Sequence, residues 1–149
     1  MRDDGLLDLD NQVCFALYAA SRGVVRAYDR SLKALDLTYP QYLVMLVLWE
    51  WARDREERPT VTALGKRLDL DSGTLTPLLS RLREKGLVTR ERASSDEREV
   101  FVRLTVAGAR LKRRARSVPL ALLERSPLPL MELIQLRDQL KRFRSAEAP

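Results

Sequence analysis

Apolar residues recur at three- and four-residue steps along much of this chain, which is the spacing of an amphipathic helix. The first such run predicts a helix from Leu7 to about Leu35, unusually long for a small domain. Its inward positions are Leu7, Cys14, Tyr18, Ser21, Val25, Tyr28, Leu32 and Leu35. Long helices in small proteins often serve a partner subunit, so we expect a dimer.

A second helix is predicted to begin at Tyr39 and Pro40, because proline is favoured in the first helical turn. The segment that follows, YLVMLVLWEW, is apolar almost all round, which is typical of a buried helix. A charged loop, RDREERP, then occupies residues 53–59.

Two short helices joined by a turn at 69–71 are predicted next, and the second ends at Gly86, a natural C-cap. Pro77 removes one backbone hydrogen bond but is tolerated near the start of that helix. The predicted inward positions are Val61, Leu64 and Leu68 in the first helix, and Leu75, Leu78, Leu79 and Leu82 in the second.

Segments 87–92 and 98–104 alternate like strands, and ASSDE between them predicts the turn of a hairpin. Thr105 is then expected to cap a helix through Arg116 that Pro119 interrupts. A last helix, from about Leu130 to Phe143, has apolar residues at steps of three and four that suit a helix–helix seam.

The order helix, short turn, helix and two-stranded hairpin is that of a winged helix-turn-helix. We therefore predict a mainly α fold with a small β-hairpin wing, in one domain over residues 1–149. Residues 60–104 form the expected DNA-binding unit, whose second helix enters the major groove. Residues 7–35 and 105–145 supply the expected dimerisation helices.

Composition agrees with a nucleic-acid partner and leaves little room for other chemistry. The formal net charge is +6, which favours DNA over a membrane surface, although a GC-rich genome would also enrich the 22 arginines. One cysteine and no histidine exclude an internal disulfide, the usual metal sites and histidine-based catalysis. No cofactor or metal is expected, and the absence of a signal or apolar span predicts a cytoplasmic protein.

Small hydroxyl residues face away from the leucines of the second short helix, where they can approach bases and phosphates. On the hairpin, Arg98 is predicted at the tip beside Asp96, where a tip arginine suits the narrow minor groove. An ordinary solvated surface is the alternative for both sets. The candidate DNA-binding residues are Ser72, Thr74, Thr76, Ser80, Arg81, Arg90, Arg92, Asp96 and Arg98; Arg103 adds a further charge to the hairpin.

The segment LDLDSGTLTPLLSRLREKGLVTRERASSDEREVFVRLTVAG resembles the recognition helix and wing of the MarR family of dimeric winged-helix repressors. More narrowly, NQVCFALYAASR and LTYPQYLVMLVLWE are similar to the repressors of that family that sense organic hydroperoxides. The resemblance implies that Cys14 is the peroxide sensor and that Tyr28 and Tyr39 hydrogen-bond to it. A second, resolving cysteine is absent, which resembles the one-cysteine class, whose sulfenic acid forms a mixed disulfide with a small cellular thiol or is over-oxidised.

The neighbours of Cys14 suit that role, since two phenol donors to one sulfur would favour the reactive thiolate. Fourteen residues separate Tyr28 from Cys14, or about 21 Å along a straight helix, so Tyr28 would have to come from the partner subunit. Tyr18, one turn after Cys14, can line the same pocket. Phe15, Leu17 and Trp49 would make that pocket apolar and favour alkyl or lipid hydroperoxides.

These features together predict a homodimeric repressor, not an enzyme, that binds a pseudo-palindromic double-stranded operator and releases it when Cys14 is oxidised by an organic hydroperoxide. A MarR-type regulator induced by an aromatic ligand or another oxidant is the nearest alternative. A thiol peroxidase is the alternative from another class, although it would leave the wing unexplained.

Overall fold

The computed structural model describes residues 3–56, 59–94 and 98–146. Two 3-10 turns at Asp3–Leu7 and Leu9–Asn11 precede the regular elements. Those elements are α1 (Val13–Lys33), α2 (Tyr39–Asp54), α3 (Val61–Leu68), α4 (Ser72–Glu84), β1 (Val88–Arg92), β2 (Val100–Leu104), α5 (Val106–Ala115), α6 (Ser117–Arg125) and α7 (Leu130–Ala146).

The first helix begins later than the apolar pattern predicts, at Val13 and not near Leu7. Polar side chains before it bond the backbone: the Asn11 amide donates to the Gly5 carbonyl at 2.8 Å, and Gln12 donates to the Leu6 carbonyl. Such local bonds compete with helical ones and hold the segment in 3-10 turns. From Val13 onward, α1 continues unbroken to Lys33.

Helix α2 forms the centre of the core, as predicted from its apolar sequence. Thr38 caps it in a reciprocal capping box with Gln41, and Pro40 lies in its first turn. Only Leu46, 41% exposed, departs clearly from the expected burial. The buried apolar residues of α2 are Tyr42, Val44, Met45, Val47, Leu48 and Trp49.

Helices α3 and α4 form the predicted helix-turn-helix. Asp69 turns the chain between them in the left-handed conformation, with φ 57°. A Cβ on Gly65 would lie 2.8 Å from the Leu70 carbonyl oxygen, so the close turn requires glycine there. Leu64, Leu75, Leu79 and Leu82 are buried as predicted, whereas Val61, Leu68 and Leu78 are half-buried.

Strands β1 and β2 pair antiparallel, from Val88 opposite Leu104 to Arg92 opposite Val100, and form the predicted wing. The wing is tied to the start of α3, because the Val102 N–H donates to the Pro59 carbonyl at 2.8 Å. Part of the predicted turn, residues 95–97 with Asp96, lies outside the described residues.

The expectation that Pro119 interrupts the helix after the wing is wrong. Helix α5 ends at Ala115, and Pro119 lies within the first turn of a separate helix, α6. The N–H groups of a first turn have no helical partner, so proline costs no hydrogen bond there. Helix α7 starts at the predicted Leu130 and runs three residues past the predicted end.

Large apolar side chains remain exposed near both ends of the chain. In the described residues, every helix is too short or too polar to span a bilayer. Exposed large apolar residues that lie together are typical of protein–protein contacts. Its members include Leu7, Leu9, Val13, Phe15 and Tyr18 at the N-terminal end, and Leu130, Met131, Leu136, Leu140 and Phe143 on α7.

Candidate functional site

The start of α4 is fixed by Asp71, whose carboxylate accepts the Thr74 backbone N–H at 2.7 Å. That backbone hydrogen bond, the largest influence, holds the pKa of Asp71 below its usual value. Asp71 therefore stays ionised at the helix N-terminus, where a negative charge is favourable. This cap orients the first turn of α4, which carries the predicted base-reading residues.

The predicted DNA-reading face of α4 is largely open to solvent. Ser72, Thr74, Thr76 and Arg81 are exposed and lie opposite the buried leucines. Ser80 is half-buried and is therefore less available than the other four. The described surface thus offers hydroxyl groups along the first half of α4 and a guanidinium in the second.

The arginines of the hairpin divide between its two faces, because successive side chains of a strand point to opposite sides. Arg90 lies on the face of buried Val102; it is half-buried, and its Nε atom is buried without a hydrogen-bond partner. Arg92, two residues on, shares that face but is exposed. Arg103 lies on the other face, where its guanidinium is 5.6 Å from the centre of the Phe101 ring.

Arg98 is exposed beside the hairpin turn and lines a groove between the wing and α3. The groove also contains Thr62 and Lys66 from α3, which sequence reasoning did not single out. Lys66 is exposed in the last turn of α3, so a second positive charge stands near Arg98. Glu99 lines the same groove, so one carboxylate stands with the two cations.

Cys14 is the second residue of α1 and its side chain is exposed. Tyr18, one helical turn later, is also exposed, and its hydroxyl accepts a 3.1 Å hydrogen bond from the Arg22 guanidinium. The same guanidinium lies 5.5 Å from the centre of the Tyr18 ring. Cys14, Tyr18 and Arg22 therefore follow one another along one face of α1.

Tyr28 and Tyr39 lie together in a cluster of three tyrosines with Tyr42. The ring centres are 5.2 Å apart for Tyr28 and Tyr39, and 5.9 Å apart for Tyr28 and Tyr42. Burial raises the pKa of Tyr28 and of Tyr39, and burial with the two neighbouring phenols raises the pKa of Tyr42 to about 12. All three phenols are therefore neutral hydrogen-bond donors at physiological pH.

Within one protomer this tyrosine cluster does not meet Cys14. Cys14 and Tyr28 both lie on the unbroken helix α1, where fourteen residues correspond to about 21 Å, and Tyr39 packs against Tyr28 from α2. Tyr28 and Tyr39 are only half-buried, so each keeps surface that a second subunit can reach, whereas Tyr42 is 4% exposed. Tyr42 was not predicted as a site residue, although its position one turn after Tyr39 was a signal for it.

No three histidine, cysteine, aspartate or glutamate side chains among residues 3–56, 59–94 and 98–146 are grouped to hold a metal ion.

Relatives in sequence are transcriptional regulators. The model of the transcriptional regulator SarA/Rot family matches residues 26–114, more than half of the chain. The organic hydroperoxide resistance transcriptional regulator of Bacillus subtilis is 46% identical over 134 residues, 90% of this chain and 88% of the relative. The regulator TtmR of Methylorubrum extorquens is 47% identical, over 99% of this chain and 77% of the relative.

A solved structure of similar shape is that of reduced AbfR bound to DNA, a protein of Staphylococcus epidermidis. It is 35% identical, has a TM-score of 0.77, and the match covers 98% of this chain and 96% of AbfR. The winged-helix fold, the match to the SarA/Rot model and these relatives all indicate the same family. The chain therefore belongs to the MarR-like family of winged-helix transcriptional regulators that the SarA/Rot model describes.

Proposed function

We propose that this regulator is a homodimeric, cytoplasmic repressor that binds a pseudo-palindromic operator and releases it when an organic hydroperoxide oxidises Cys14. The observation that carries the proposal is that the chain has one exposed thiol near the start of α1 and, on a separate surface, neutral, half-buried phenols at Tyr28 and Tyr39 that a partner subunit can reach. Similarity to an organic hydroperoxide resistance regulator supports the choice of oxidant.

The proposed chemistry is a two-electron oxidation of the sulfur. The Cys14 thiolate attacks the terminal oxygen of the hydroperoxide and the O–O bond breaks. The sulfur gains that oxygen with its proton as a sulfenic acid, and the alkoxide takes up a proton and leaves as the alcohol. A small cellular thiol then condenses with the sulfenic acid and releases water, which gives a mixed disulfide; a second hydroperoxide would instead over-oxidise the sulfur.

Tyr28 and Tyr39 of one subunit would donate hydrogen bonds to Cys14 of the other. Such bonds favour the thiolate over the thiol, which matters in a chain that has no histidine to stabilise the charge. Tyr18 would line the same pocket, with its ring held by Arg22. The separation of about 21 Å along α1 is the reason that the donors belong to the partner subunit.

The exposed apolar residues at both ends of the chain would form the dimer interface. This assigns residues 7–35 and 105–145 to dimerisation and residues 60–104 to DNA binding. Within the latter, Ser72, Thr74, Thr76 and Arg81 of α4 would read the major groove, and Arg92 and Arg98 of the wing would contact the adjacent minor groove or its phosphates. Ser80 and Arg90, both half-buried, would contribute less.

The test is release from DNA by peroxide. A duplex that the protein selects from a random-sequence pool is bound by wild type and by Cys14→Ser, and each complex is treated with cumene hydroperoxide while intact mass follows the oxidation. We expect wild type to gain oxygen and dissociate, and Cys14→Ser, which cannot form a sulfenic acid, to stay bound. Release of the serine variant would refute the sensor assignment.

Parallel experiments distinguish this function from the alternative functions. Hydrogen peroxide in place of cumene hydroperoxide tests the preference for an organic oxidant. An aromatic acid that releases both wild type and Cys14→Ser, without a mass change, would instead support a ligand-induced regulator. A thiol peroxidase is disfavoured because the family consists of transcriptional regulators, which are not enzymes.

A further inference from the structure

Trp49 joins the central helix α2 to α5, the helix that follows the wing. Its indole N–H donates a 2.9 Å hydrogen bond to the Gly108 carbonyl, across 59 residues of sequence and inside the core. A buried indole N–H without a partner is costly, so this bond fixes the orientation of the ring. Any displacement of Trp49 is therefore transmitted to α5 through this bond.

Gly108 in turn is in backbone contact with the junction between α4 and the wing. A Cβ on Gly108 would lie only 2.1 Å from the Leu87 carbonyl oxygen. Thr105, the cap of α5, secures the same junction, because its N–H donates to the Leu87 carbonyl at 3.0 Å and its hydroxyl to the Gly86 carbonyl at 2.6 Å. The start of α5 and the α4–wing junction are therefore bound to move together.

On its other side, Trp49 contacts the tyrosine cluster. Its ring meets Tyr42 edge to face, with centres 6.4 Å apart, and Tyr42 lies within 5.9 Å of Tyr28 and 6.5 Å of Tyr39. Tyr42 and Trp49 are each 4% exposed, and close-packed interiors transmit displacement. A cleft of about 400 Å³ beside this pair, lined also by Lys112 and Arg116, leaves space into which the rings can shift.

We propose that Trp49 is a positioning residue that transmits the state of the tyrosine cluster to the recognition helix and wing through its hydrogen bond to Gly108. The inference rests on the proposed function, since it explains how oxidation at Cys14 reaches α4. Oxygen added to the sulfur displaces Tyr28 and Tyr39; Tyr42 and Trp49 follow, and Gly108 carries the movement to Leu87. The spacing of the two α4 helices in the dimer then no longer matches the operator.

Trp49→Phe tests this step, since it keeps an aromatic ring and removes the N–H donor. The Gly108 carbonyl still accepts a backbone hydrogen bond within α5, so the substitution leaves no acceptor without a partner. Trp51→Phe is the matched control, because Trp51 lies on the same helix but lines a different cleft, with Pro59 and Val102. For each protein we compare the rate of Cys14 oxidation and the operator Kd before and after cumene hydroperoxide.

For Trp49→Phe we expect wild-type oxidation and a reduced-state Kd close to wild type, but a ratio of oxidised to reduced Kd that is about two- to tenfold smaller, the range of one hydrogen bond. Trp51→Phe keeps the wild-type ratio. A wild-type ratio in Trp49→Phe would overturn this inference alone. Wild-type protein that stays on DNA after oxidation would overturn the proposed function as well.

Fluorescence gives a second readout that does not require Trp49→Phe to fold. Trp51→Phe leaves Trp49 as the only indole in the chain. Oxidation of Cys14 in that variant should shift the Trp49 emission with the same time course as the gain in mass. An emission spectrum that is unchanged after full oxidation would contradict the proposal.

Discussion

Removal of one phenol hydroxyl from the tyrosine cluster tests how the thiol is activated. In Tyr28→Phe the ring and its contacts with Tyr39 and Tyr42 remain, at centre distances of 5.2 and 5.9 Å, so the core should stay packed. What disappears is a donor that is protonated at neutral pH, because the pKa of a phenol is well above neutrality and burial raises the pKa of Tyr28 further. The reduced protein should therefore bind DNA as wild type does.

The size of the effect follows from the charge of the acceptor. A hydrogen bond to a charged group is worth about 1.5–3 kcal/mol, and each 1.36 kcal/mol changes an equilibrium about tenfold. Loss of the Tyr28 donor should therefore reduce the ratio of thiolate to thiol at Cys14 by about 10- to 150-fold. Oxidation by a limiting hydroperoxide at neutral pH should slow in proportion wherever the thiol form predominates.

The assay is the second-order rate of Cys14 oxidation by cumene hydroperoxide, followed by intact mass. Tyr39→Phe should behave like Tyr28→Phe, since its hydroxyl is half-buried in the same cluster. Tyr42→Phe is the control: its side chain is 4% exposed, so a partner subunit has little access to it, and oxidation should keep the wild-type rate. Equal rates of Cys14 oxidation in all three variants would refute the donor role of Tyr28 and Tyr39.

Three further outcomes are expected. Arg98→Ala should weaken operator binding by about 1–3 kcal/mol if Arg98 enters a groove. Arg103→Ala, on the Phe101 side of the hairpin, should weaken binding less. Equal losses of affinity for the two variants in a binding titration would contradict the wing assignment. Leu64→Ala, at a fully buried position, should lower the free energy of unfolding by about 2–5 kcal/mol in urea titration, and Leu46→Ala, at an exposed one, by much less. Sedimentation at micromolar concentration should give a dimer, and a monomer would argue against the interface on α1 and α7.

The regular elements could be predicted because their signals are local. Thr38, Pro40 and the apolar run after them define α2, and the leucine spacing with Gly86 defines α4. The start of α1 could not be placed from periodicity, because the bonds of Asn11 and Gln12 to backbone carbonyls decide it. The sequence pattern does not reveal α6, because a proline such as Pro119 can either interrupt a helix or, as here, lie in a first turn.

The candidate site was predictable only where resemblance or residue type gave a signal. Arg92 and Arg103 were both assigned to the hairpin from residue type, and only the strand register shows that they face opposite sides of it. The Trp49–Gly108 bond joins residues 59 positions apart, and its partner is a backbone carbonyl, which carries no residue identity. Contacts of that kind follow from packing and leave no motif in the sequence.

The attachment of α1 gives it the mechanics of a lever arm. Leu32, Leu35 and Leu37 at and beyond its C-terminal end are buried, whereas most residues before Tyr28 are not, so within one protomer the helix is held in the core at one end. From Leu32 to Cys14 the arm is about 27 Å long, and a 2 Å displacement at the sulfur is then a rotation of about 4° at the core. A displacement of that size at Cys14 thus requires a movement of only a few degrees around Leu32.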